Sequence, residues 1–217
     1  MVSNRSGYRL AIRLIQLYVG LWLYGLSGAL QVRSTLGLDP WDVLHQGIAR
    51  HAGIAIGTVL ILVGAAVLLL WIPLRQWPGL GTISNVVLIG VSMNANLGWL
   101  PPAHALPWRV VDMLTGVLLC GMATGMYIGA DFGPGPRDGL MTGLVRRSGR
   151  SVRMIRTGIE LTVLVIGWLL GGTVGIGTVV FALAIGPLAQ LFLPVFARNR
   201  LPPPGVGDEI RAVTAMT

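Results

Sequence analysis

Long apolar runs broken by short polar connections dominate the chain. Six of these runs approach the roughly 20 residues needed for a helix to cross a hydrocarbon layer about 30 Å thick. They cover about Leu10 to Leu30, Ile56 to Leu74, Leu80 to Leu100, Val110 to Ala130, Met154 to Leu170 and Ile176 to Phe196. The pattern predicts an all-α polytopic membrane protein with six transmembrane helices. Arg5, Arg9 and Arg13 before the first run resemble a signal-peptide start. That run is long and no small-x-small cleavage site follows it, so the expectation is an uncleaved first helix.

A shift of 96 residues aligns the sequence with itself without a gap. From Gly25 to Gly90 against Gly121 to Gly186, 16 of 66 pairs are identical. Gly37 meets Gly133, Pro40 meets Pro136, Asp42 meets Asp138, and the Gly79 to Thr82 segment meets Gly175 to Thr178. Ten of the sixteen matches fall on Gly, Pro, Asp and Thr, where backbone geometry and capping are decided. Two repeats follow, residues 1–100 and 101–197, with three spans each in a single membrane domain and a flexible cytoplasmic tail over 198–217. Three is odd, so the second repeat must enter the membrane from the opposite face. Such inverted-topology repeats are common in secondary transporters.

Composition agrees with the hydropathy pattern. Apolar residues make up 53% of the chain and charged residues only 11%, against the quarter usual in soluble domains. The 31 glycines fit transmembrane helices as well. The net charge of +8 comes from 16 arginines without lysine. Thirteen of these arginines fall on one side of the predicted spans, including the cluster Arg146 to Arg156. That asymmetry places both termini in the cytoplasm and accounts for the charge without nucleic acid. The basic cluster serves either as a topology signal or as a site for anionic lipid headgroups. One cysteine, Cys120, allows neither an internal disulfide nor a cysteine metal site.

Candidate chemistry lies in the first connection of each repeat. Asp39-Pro40-Trp41-Asp42 and Gly135-Pro136-Arg137-Asp138 both read as helix starts. Asp39 is an N-cap, proline stands at the first helical position, and an aspartate stands at the third. The ten or so residues that follow form a helix too short to span. Two half-helices are therefore expected, re-entrant or interfacial, with their first turns at a shared cavity near the midplane. Asp42 and Asp138 serve there as substrate, ion or proton groups, or else as helix caps. Asp131 and Arg137 add charge to the second connection, and His45 stands three residues after Asp42 to share a proton with it. Glu160 is an acid inside a predicted span, either functional or paired with Arg156 one turn earlier. Thr82 and Thr178 open the third helix of each repeat as first-turn hydroxyls, and Asn85 follows a turn into one of them. Each suits packing or contact with a solute. Gly121, Gly125 and Gly129 form a helix-contact stripe, within the chain or with a second copy as a homodimer.

No enzyme motif occurs, and no cofactor or metal site is expected. The expected partners are the lipid bilayer and a small solute or ion. The Gly-x-x-Pro-Trp-Asp-Val-Leu segment from Gly37, the Gly79-Leu-Gly-Thr helix start and the Gly-x-Gly-Pro-Arg-Asp-Gly-Leu segment from Gly133 resemble the YczE/YyaS/YitT-like family. The resemblance covers about residues 10 to 197 and implies a bacterial inner-membrane protein. It supplies no activity. The sequence is therefore read as a small secondary transporter, with a non-transporting membrane scaffold or accessory protein as the alternative.

Overall fold

Prolines and glycines decide where the helices begin and end. The computed structural model describes residues 2–197, with side chains from residue 8 onward. Eight helices fill this span: α1 (Val2–Ser34), α2 (Pro40–Ala52), α3 (Ile56–Leu74), α4 (Leu80–Trp99), α5 (Leu106–Ala130), α6 (Pro136–Ser148), α7 (Val152–Leu169) and α8 (Ile176–Phe196). Pro40 and Pro136 start the two short helices, where a missing backbone N–H costs nothing. Gly53 and Gly149 end them, both at φ +67°, in the left-handed geometry that glycine adopts without strain.

Five segments are long and apolar enough to cross a membrane: Tyr8–Ser34 within α1, then α3, α4, α5 and α8. The sixth expected span, α7, differs. Its 18 residues reach about 27 Å at the usual helical rise, but they carry Arg153, Arg156 and Glu160. The length suffices and the polarity does not, so five rather than six segments qualify among the described residues. The tail at 198–217, expected to be loose, lies outside them.

The 96-residue shift extends from sequence into backbone. α2 and α6 begin and end 96 residues apart, and so do the last residues of α1 and α5. Positive φ angles pair in the same way: Thr35 with Asp131, Gly37 with Gly133, Gly53 with Gly149, and Arg75 with Gly171. Hydrogen bonds across elements pair too. Gly81 N donates to Phe132 O at 2.8 Å, and Gly177 N donates to Leu36 O at 2.8 Å.

Packing follows this plan. α1 lies along α5 in the most extensive helix pair, with α4 on α1 and α8 on α5. α2 packs on α7, and α6 packs on α3. Leu17, Leu21, Met93 and Ile89 fill the centre between α1, α3, α4 and α5. The glycine stripe of α5 meets α8: Gly121 faces Leu188, Gly125 faces Phe192 and Gly129 faces Phe196. It is thus used inside the chain.

One pairing breaks the correspondence. α3 packs firmly on α4, whereas α7 and α8 share no comparable contact. Gly57 and Gly90 let α3 and α4 approach until each helix touches the other's backbone carbonyl, and Asn94 Oδ1 accepts from Gly57 N at 2.8 Å. The residues 96 further on are Arg153, Gly186 and Gln190. An arginine in place of a glycine forbids the close approach, and a side chain at Gly186 would meet open space.

Candidate functional site

α2 starts because Asp39 Oδ1 accepts from Trp41 N at 2.9 Å and from Asp42 N at 3.2 Å. These bonds satisfy two of the N–H groups that a helix leaves unpaired at its beginning. α6 starts at Gly135, which has no side chain to cap it. The two helix starts meet across one guanidinium. Arg137, at the first turn of α6, lies 3.5 Å from Asp39 and 3.8 Å from Asp42. The same guanidinium lies 4.9 Å from the centre of the Trp41 ring, a cation–π contact. The same Asp42 oxygen, Oδ1, also bonds His45 Nδ1 at 2.9 Å. Asp39, Asp42 and His45 are all buried. One cation therefore holds two buried carboxylates between the halves of the chain.

The two aspartates of the repeated motif have different surroundings. Asp42 is sealed behind His45 and Arg137. Asp138 accepts a hydrogen bond from the Tyr127 hydroxyl at 2.8 Å. Among the described residues no Arg or His nitrogen stands within ion-pair distance of it. The first turn of α6 is anchored from behind, where Trp71 Nε1 donates to Pro136 O at 3.1 Å and the indole lies against Gly139.

Both helix starts open onto a cavity of about 330 Å³. It is lined by the first turns of α2 and α6 and by parts of α1, α3, α4, α5, α7 and α8. The expectation of a cavity shared by the two half-helices thus corresponds to a real space. Asp138, Arg137, His45, Asn85 and Glu160 line it. Glu160 also pairs with Arg156 at 2.9 Å.

Other expected site residues lie elsewhere. Asp42 stands behind the lining. Asp131 caps α5 in left-handed geometry, is largely exposed, and faces Arg13 at 3.9 Å. Thr82 and Thr178 are buried caps: each hydroxyl accepts from the glycine N–H three residues earlier, at 3.2 Å and 3.3 Å. Thr82 also donates to Pro134 O at 2.7 Å, which pins the connection before α6. These two threonines are used in packing. Asp112 of α5 is buried, with Arg33 Nε 2.7 Å from its carboxylate. Sequence reasoning missed Tyr24, Tyr127 and Gln190 in the lining. Gln190 carried a usable signal, since a glutamine in an apolar span is costly without a purpose. The tyrosines, inside apolar helices, carried none.

The helices, their apolar faces and this buried polar centre define a polytopic helical membrane protein. A family model described as a family of unknown function, DUF6198, matches residues 11–194. The chain belongs to that family. An uncharacterized protein of Haemophilus influenzae is 42% identical over 182 residues, covering 84% of each chain. An uncharacterized membrane protein of Bacillus subtilis, YczE, is 33% identical over 187 residues, covering 85% of this chain and 87% of its own. A second Bacillus subtilis protein, YyaS, is 25% identical over 187 residues, covering 84% and 93%. The resemblance carried by the proline-aspartate motifs is therefore correct. No solved structure matches the chain.

Proposed function

We propose that this protein is a small secondary transporter of the bacterial inner membrane. It is built from two inverted repeats, with α7 as the sixth crossing and both termini in the cytoplasm. The observation that carries the reading is the meeting of α2 and α6. Two helices too short to span put their first turns at one cavity, bridged by Arg137 to Asp39 and Asp42. Helix N-termini and non-helical backbone at membrane depth are tolerated where they line a cavity, and transporters place substrates there.

The α3–α4 pair is closed at Gly57 and Gly90 and the α7–α8 pair is held open at Arg153, an inequality set by the sequence. The α5 glycines, a face that a partner could otherwise use, are covered by α8.

Exposure of the cavity to both sides is the test. Cys120 is buried and is the sole cysteine, so Cys120→Ala gives a clean background. Met141 lines the cavity. We expect Met141→Cys on that background to react with a membrane-impermeant maleimide in spheroplasts and also in inverted vesicles. Labelling from one side alone, or from neither, would overturn the transporter reading.

A further inference from the structure

We infer that the cavity binds a small organic cation with an apolar body, and that Asp138 is its counter-charge. This rests on the reading of the cavity as a ligand site and adds the class of ligand.

Charge matching carries the argument. The cavity has two guanidinium groups, and each already has an acid. Arg137 is shared by Asp39 and Asp42, and Arg156 pairs with Glu160. Neither is left to hold an anionic ligand. Asp138 is different. It lines the same space, its Oδ2 accepts only the Tyr127 hydroxyl, and no side-chain cation of the described chain is within ion-pair distance. A carboxylate in a site of low dielectric seeks a positive partner, and the cavity offers room for one from outside.

The walls fit the rest of such a molecule. Tyr24 and Tyr127 line the space as an edge-to-face pair with centroids 6.1 Å apart, beside Asp138. Aromatic rings near a carboxylate suit an ammonium group, through their faces as well as the charge. The lining also includes aliphatic side chains, Leu60, Val63 and Val67 of α3 and Ile185 of α8. Ionic groups elsewhere on the wall are self-neutralised, so an apolar body meets little desolvation cost there. A second, smaller recess lies between α7 and α8, lined by Arg153, Thr157 and Ala182, and it shares Pro40, Arg156, Glu160, Phe181, Ile185 and Gly186 with the main cavity. The loose α7–α8 pairing thus leads from the helix surface to the site, by a route that an amphiphilic molecule dissolved in the membrane can use.

Three benzyl probes of closely similar shape separate the outcomes: benzyltrimethylammonium, its neutral isostere neopentylbenzene, and an anion, phenylacetate or the tetrahedral phenylmethanesulfonate. Binding of each to the full chain in nanodiscs is measured by calorimetry. We expect the cation to bind more tightly than the other two. Asp138→Asn should weaken cation binding by about tenfold or more, as the loss of a charge-assisted contact implies, and leave the neutral probe unchanged. The anion binding as tightly as the cation, or a cation affinity insensitive to Asp138→Asn, would overturn the inference while leaving the cavity a ligand site. Binding of none of the three, with the variant and wild type equally folded by circular dichroism, would overturn both. Tyr127→Phe keeps the ring and the fold and removes the hydroxyl that positions Asp138. It should weaken the cation and spare the neutral isostere, and equal losses for both would also count against the inference.

Discussion

Arg137→Gln should lower the stability of the protein in mixed micelles by about 3 kcal/mol, the scale seen when one partner of a buried ion pair is removed. Among the described residues the Arg137 guanidinium is the one arginine group within reach of Asp39 and Asp42, at 3.5 and 3.8 Å, and both carboxylates are buried. Without it, two buried acids stand side by side with no arginine to balance them. The loss should be largely electrostatic rather than a matter of lost packing. Adding Asp42→Asn to Arg137→Gln should therefore recover part of the stability, although each substitution alone is destabilising. Denaturant unfolding of the two single variants and the double variant gives the coupling directly. Strictly additive losses would mean that Arg137 acts through its stack on Trp41 and not through charge.

The same substitution at two corresponding glycines should have opposite effects. Gly90→Ala puts a methyl group into the carbonyl oxygen of Gly57 and the side chain of Ile61, so α3 and α4 must move apart. Overpacking at a rigid backbone contact costs about 1–3 kcal/mol, and the upper end is expected because backbone faces backbone. Gly186→Ala, 96 residues later, meets open space. It should be neutral or stabilising by up to about 1 kcal/mol, since alanine is the better helix former. Thermal unfolding of both variants in detergent decides the matter. Equal effects would show that the glycine contact is not what closes α3 on α4.

These contrasts explain what could be read in advance. Positions where local backbone chemistry decides the structure were legible: the ends of α2 and α6 follow from Pro40, Gly53, Pro136 and Gly149, and the cap at Asp39 follows from its place before proline. The Thr82 and Thr178 caps were visible as first-turn hydroxyls, though not the fact that burial closes them to any solute. Surroundings set by distant packing were not legible. Asp42 and Asp138 occupy equivalent places in the sequence; the histidine beside Asp42 is legible three residues on, whereas only the fold gives Asp138 the Tyr127 hydroxyl from α5. Asp39 read as a cap alone, because its second role depends on an arginine 98 residues away. The glycine stripe of α5 fixed a contact face without naming the helix that fills it. α7 read as an ordinary span because hydropathy averages its three charges with a long apolar run.

The pairing of α1 with α5 also sets a timetable for biosynthesis. Arg13 Nε donates to Ala130 O and Gln16 Nε2 to Met126 O, partners 117 and 110 residues further along the chain. A ribosome adding roughly 5–20 residues per second needs on the order of 5–20 s to make that stretch. Throughout that interval α1 is inserted with two polar side chains whose acceptors do not yet exist. The first half of the chain cannot be a finished unit waiting for the second, and the arrival of α5 supplies the first acceptors for these two side chains.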